Sequence, residues 1–142
     1  MITNNRINSL FLNSYIELDK ICSQKFGKVS GGVTEYINRL VNSRFAPERD
    51  EVLPRLVKYR NVRNRIAHEE GAMGHLNEIT KLDLKWLDGF KHDLAKKRDP
   101  ISVYLRKARK YAKRRRAKRI ILVLLLLIVA AALAAGLYML LK

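Results

Sequence analysis

VLPRLVKYRNVRNRIAH, residues 52–68, is the stretch whose reading decides the fold. Val52, Leu53, Leu56, Val57 and Tyr59 lead toward Ile66 with helical spacing, and basic or amide side chains fill most positions between them. Nothing in or around the stretch alternates with period two. Pro47 stands where a first helical turn tolerates a missing amide, and Glu48 and Asp50 suit the positive end of a helix. A helix is therefore expected from about Pro47 to about His68.

The flanking segments read the same way. Between Thr3 and Lys25, the residues Ile7, Leu10, Phe11, Tyr15, Leu18, Ile21 and Cys22 recur at three- and four-residue steps, which places them on one helical face. Gly27 is well placed as a C-cap. A shorter helix is expected over 33–42, with Val33, Tyr36, Ile37, Leu40 and Val41 inward. Glu69 to His75, with Gly71 and Gly74, reads as a loop. Thr80 with Asp83 resembles a capping box using Asp for Glu. The helix it opens carries Leu82, Trp86, Leu87, Phe90 and Leu94 on one side. The fold class is all-α: an antiparallel bundle of about four helices joined by short loops.

Asp99-Pro100 resets the chain, an N-cap followed by proline at the first helical position. Ile101, Tyr104, Leu105, Ala108, Tyr111 and Ala112 form a narrow apolar stripe, and ten basic residues cover the rest: Arg106, Lys107, Arg109, Lys110, Lys113, Arg114, Arg115, Arg116, Lys118 and Arg119. No charge occurs in the 22 residues from Ile120 to Leu141. Crossing a hydrocarbon core takes about 20 helical residues, and a bundle of about a hundred residues could hardly cover a helix apolar on every side. The expected domains are thus a bundle over 1–98, a basic amphipathic juxtamembrane helix over 99–119 and a transmembrane tail anchor over 120–142.

Charge follows the same division. The chain of 142 residues carries +16, but no acid follows Asp99 and eleven of its 29 basic residues lie beyond Pro100. The first hundred residues hold 18 basic and 13 acidic groups, a balance of only +5. Whole-chain charge is therefore no argument for nucleic-acid binding. Dense Arg and Lys before the span, with only Lys142 after it, predict a single pass with the N-terminal domain in the cytoplasm, as at a bacterial inner membrane. The basic stripe is expected on the anionic leaflet, where each cation contributes about 1 kcal/mol. RNA competes for the same charges. Within the span, Ala132 and Gly136 form a small-xxx-small pair that would let two helices approach. No apolar run near Met1 reads as a secretory signal.

Arg63-Asn64-Arg65-Ile66-Ala67-His68 is the segment with chemistry in it. Val57, Asn61, Asn64 and His68 fall roughly on one line of the helix, apolar at its start and polar at its end. Arg63 precedes His68 by five residues, about 140° round an ideal helix. The two reach one phosphate only where the helix bends or ends, or where a second chain completes the site. Arg presents a fixed fork of donors to a phosphate, and an imidazole exchanges protons near neutral pH. Spacing alone also fits a capped helix end with solvated side chains.

These six residues resemble the Arg-x4–6-His signature of HEPN domains, whose Arg is often followed by a polar residue such as Asn. The resemblance extends to a small all-α bundle with the motif toward the end of a long helix, over about residues 1–98. It implies a metal-independent endoribonuclease that works as a homodimer, with the two motifs facing each other. Arg63 and His68 are then the catalytic pair, Asn64 the supporting polar residue, and Arg60, Asn61 and Arg65 the neighbouring RNA contacts. Such enzymes let the ribose 2′-hydroxyl attack the adjacent phosphate, and many serve as toxins or in phage defence, with an antitoxin or regulatory partner. Other members are inactive and serve as binding or dimerisation modules. One subset carries Tyr two residues after the His, where a partner enzyme modifies it. This chain has Glu70 there, after Glu69, which argues against that control.

No cofactor or metal is expected. Cys22 is the lone cysteine and reads as a small buried hydrophobe. His68, His75 and His92 fit no usual zinc spacing. Gly27, Gly31 and Gly32 lack the flanking strand and Gly-Lys-Ser/Thr end of a phosphate loop. Trp86 and Phe90, four apart, read as core before base-stacking platform.

Overall fold

A computed structural model describes residues 2–141. The chain divides into two units, Met1–Tyr104 and Leu105–Lys142; the regular elements of both are helices, with no strand among the described residues. The elements are α1 (Ile2–Phe26), α2 (Gly32–Asn42), α3 (Arg49–His68), α4 (Ala72–His75), α5 (Lys81–Ala95) and α6 (Pro100–Leu140). The first unit is a bundle of α1 to α5 closed by the first turn of α6.

Helix α1 is central and packs against α2, α4 and α5, while α2 also packs against α3. The expected inward faces form the core: Phe11, Tyr15, Leu18 and Cys22 from α1, Val33, Tyr36, Ile37 and Leu40 from α2, Val52, Leu56, Tyr59 and Val62 from α3, and Leu87, Phe90 and Leu94 from α5. Each large apolar side chain buried there contributes about 1.5–3 kcal/mol. An aromatic series joins the helices through that core. Phe11 meets Tyr59 at 5.8 Å, Tyr59 meets Trp86 at 5.6 Å, Trp86 stacks on Phe90 at 4.9 Å, and Phe90 meets Tyr36 edge-on at 5.4 Å. Trp86 and Phe90 are thus core partners.

The helix ends carry the expected capping chemistry. Gly27, at φ 64°, closes α1 in a Schellman motif, in which Lys28 N donates to Ser23 O and Gly27 N to Gln24 O. Thr80 and Asp83 form a reciprocal capping box on α5. Asp99 caps α6 by accepting the Ser102 amide at 3.2 Å.

Several expectations change. Helix α3 begins at Arg49, because Glu48 takes a left-handed conformation (φ 56°) and ends the preceding loop. Pro54 lies inside α3 on an exposed position, without the amide that would bond four residues back. Leu10, Val41 and Leu82 are exposed rather than inward, each at the edge of its helical stripe. The expected loop after His68 contains the single-turn α4, held by buried Asn8, whose Nδ2 donates to Met73 O at 2.9 Å and Leu76 O at 2.8 Å. The bundle reaches Tyr104 rather than 98, since Asp99, Pro100 and Ile101 are buried in it.

Asp99 explains that reach. Its side chain is fully buried and receives Lys25 Nζ at 2.8 Å and the Tyr36 hydroxyl at 3.0 Å. The start of α6 is thereby tied to the end of α1 and the middle of α2. In the second unit, every residue from Leu105 to Met139 is exposed, basic and apolar alike. Its apolar helical segment is long enough and apolar enough to cross a membrane. Lys142 lies outside the described residues.

Candidate functional site

Arg60, Arg63 and Asn64 project from the last turns of α3 into a cleft of about 380 Å³. Its other walls are Tyr15, Ile16 and Asp19 of α1, and Ser30, Gly31 and Thr34 around the start of α2. Sequence-local chemistry sets this wall. Gly31, at φ 71°, turns the chain into α2 in a conformation that favours glycine. At the next position, a Cβ would collide with the α1 backbone at Ser23 N and Asp19 O, so only glycine lets α2 start this close to α1. The Asp19 carboxylate then accepts the Val33 amide at 2.8 Å, capping α2 from a neighbouring helix.

Two guanidinium groups three residues apart share the cleft with one carboxylate, and an oxygen of that carboxylate is already engaged by Val33. Arg63 Nη1 donates to Asn64 Oδ1 at 3.2 Å, so the amide orients the guanidinium. Tyr15, 5% exposed, lines the cleft, and its hydroxyl bonds no described residue. Burial, helped by Asp19, pushes the Tyr15 phenol up to about 12, against the pull of Arg63 and Arg60. It remains a protonated donor at neutral pH.

The other expected residues lie elsewhere. His68 is the terminal residue of α3, so the helix does end at the motif. Its ring is exposed, outside the wall shared by Arg63 and Asn64, and bonds no other described residue. Asn61 is exposed and also outside that wall. Arg65 does not join its expected neighbours, because its guanidinium is committed to acids. Nε meets both Glu69 oxygens at 3.2 Å, and Nη1 pairs with Glu78. The hydrogen bond to Glu69 leads the causes that raise its pKa further. Arg65 thus offsets Glu69, the acid next to His68. The basic residues from Arg106 to Arg119 are all exposed.

Periodicity missed Tyr15, Asp19, Ser30 and Thr34 as cleft residues. Tyr15 carried the one available signal, a hydroxyl on an otherwise apolar inward face.

Fold and site together define a small all-α bundle with a polar, arginine-bearing cleft, and an apolar C-terminal helix in a second unit. Within that class, the chain belongs to a family of unknown function, DUF6548, whose model matches residues 9–122. The match takes in the bundle and the basic segment. Neither a curated protein nor a solved structure matches the chain.

Proposed function

We propose that this chain is a membrane-tethered, HEPN-like, metal-independent endoribonuclease that acts as a homodimer in a toxin or phage-defence role. The observation that carries the reading is the placement of Arg63 and Asn64 side by side in one cleft, with His68 at the exposed end of the same helix. A second copy facing this end supplies what one chain lacks, a His beside the phosphate that Arg63 holds. Arg63 neutralises the phosphate and Asn64 orients the guanidinium. His68 exchanges a proton with the 2′-hydroxyl or the departing 5′-oxygen as the P–O bond breaks, leaving a cyclic phosphate and a 5′-hydroxyl. No metal takes part in these steps.

The apolar segment of α6 serves as the tether. The positive-inside bias keeps the bundle cytoplasmic, at the inner membrane of a bacterium, and the segment from Arg106 to Arg119 lies on anionic lipid. A reporter fused after Lys142 reads out on the far side; a cytoplasmic reading overturns this topology.

Activity is tested with full-length chain in detergent, incubated with RNA and a chelator beside His68→Ala and Arg63→Ala. Both variants are expected to lose cleavage. Cleavage that persists in both, or that the parent never displays, removes the catalytic reading. The separation of His68 from the cleft within one chain favours a second reading, a non-catalytic interaction or nucleotide-binding module at the membrane. A parent that binds RNA or nucleotide without cutting selects it.

A further inference from the structure

The cleft has features that strand cleavage does not require. Tyr15 lines it, and the Tyr15 hydroxyl bonds no described residue. Asp19, Arg63 and Arg60, which line the same cleft, all act on this phenol, so a phosphate oxygen held there could accept its hydrogen bond. Arg60 and Arg63 face the same space, and planar guanidinium forks match the tetrahedral oxygens of a phosphate. Asp19 uses Oδ1 on the Val33 amide, leaving Oδ2 to accept from a hydroxyl, and Thr34 adds a hydroxyl of its own. The volume of about 380 Å³ exceeds what a bare phosphate occupies and falls in the range of small-molecule pockets.

From these groups we infer that the cleft binds a sugar phosphate, its phosphate on Arg60, Arg63 and the Tyr15 hydroxyl and its sugar hydroxyls toward Asp19 and Thr34. A ribonucleotide is a sugar phosphate bearing a base and fits the same description. Arg63 is shared with the ribonuclease reading, but binding here needs neither cleavage nor His68.

Titration calorimetry of the full-length chain in detergent, with ribose 5-phosphate as the probe, tests this. One saturable site per chain is expected, with inorganic phosphate and adenosine 5′-monophosphate competing and acetate inert. Tyr15→Phe is expected to weaken binding about three- to tenfold, and Arg60→Gln about tenfold or more. Lys85→Gln, on exposed α5 surface, leaves it unchanged. His68→Ala retains the titration while losing cleavage, so binding and catalysis succeed or fail separately. Helical circular dichroism verifies that each variant folds, and Tyr15→Phe, which removes one oxygen, carries the test if Arg60→Gln does not. No saturable binding up to about 10 mM, or parental affinity in Tyr15→Phe, overturns the site. Equal affinity for inorganic phosphate and ribose 5-phosphate overturns its sugar half.

Discussion

Asp19, in the C-terminal third of α1, accepts the amide proton of Val33, in the first turn of α2, at 2.8 Å. The N-terminus of α2 is therefore capped by another helix, since Gly31 at its own cap position has no side chain to do so. The same carboxylate faces the arginine cleft, so a residue that orders the bundle also shapes the site.

Removing this cap has a defined cost. Asp19→Ala is expected to lower stability by about 1–2 kcal/mol, the range for losing an N-cap acceptor. Asp19→Asn keeps an acceptor oxygen and is expected to lose less than half as much. Urea unfolding of the two variants beside the parent measures the order, and equal losses would show that charge matters here rather than acceptance.

The adjacent glycines separate strain from contact. At Gly31 an added Cβ meets open space, so Gly31→Ala costs only the left-handed backbone, about 1–2 kcal/mol. At Gly32 an added Cβ runs into the α1 backbone, which cannot swing aside like a side chain. Gly32→Ala is expected to cost about 3 kcal/mol by overpacking and to open the α1–α2 contact. Thermal melts in which Gly31→Ala is the more damaging change would contradict this packing.

The Lys25–Asp99 pair predicts a similar asymmetry at the start of α6. The Lys25 side chain is 19% exposed, but that of Asp99 is fully buried, with Tyr36 and Ser102 as its other donors. Lys25→Met strands a buried carboxylate and is expected to cost about 2–4 kcal/mol. Restoring neutrality with Asp99→Asn in the Lys25→Met background should recover part of that loss, which a double-mutant cycle reads directly.

How much of this was legible follows from the range of each interaction. Period and capping are local, so the helices at Phe11–Cys22, Tyr36–Leu40, Leu56–Val62 and Leu87–Leu94 could be read in advance. So could the Gly27 cap, the Thr80–Asp83 box and the Asp99-Pro100 start. Burial at the edge of a stripe depends on neighbours, which is why Leu10, Val41 and Leu82 keep an inward-reading spacing yet lie exposed. Asn8 reaching α4, Lys25 and Tyr36 reaching Asp99, and Asp19 reaching Val33 are pairings between separate elements that no spacing encodes. The site divides the same way. Arg63 and Asn64 were legible as neighbours on one helix, whereas Tyr15 and Asp19 joined them only through packing, and His68 stayed apart because the helix ends there without turning back.

Asp83 gives the pH dependence. Burial alone would raise its carboxyl, but bonds from the Thr80 hydroxyl and amide, the Tyr59 hydroxyl and Lys58 outweigh it and hold the pKa below the ordinary value. A depressed folded pKa means that the ionised group stabilises the fold fully above the unfolded value, near 3.9. That contribution is lost as pH falls through the folded value. The gap in melting temperature between the parent and Asp83→Asn should therefore stay level above about pH 5 and shrink below about pH 4. Comparing the two proteins cancels the other carboxylates that titrate in the same range, including Glu35, whose pKa its bond from Arg39 lowers. A gap that stays constant down to about pH 2.5 would mean that Asp83 acts through shape, with its charge contributing nothing.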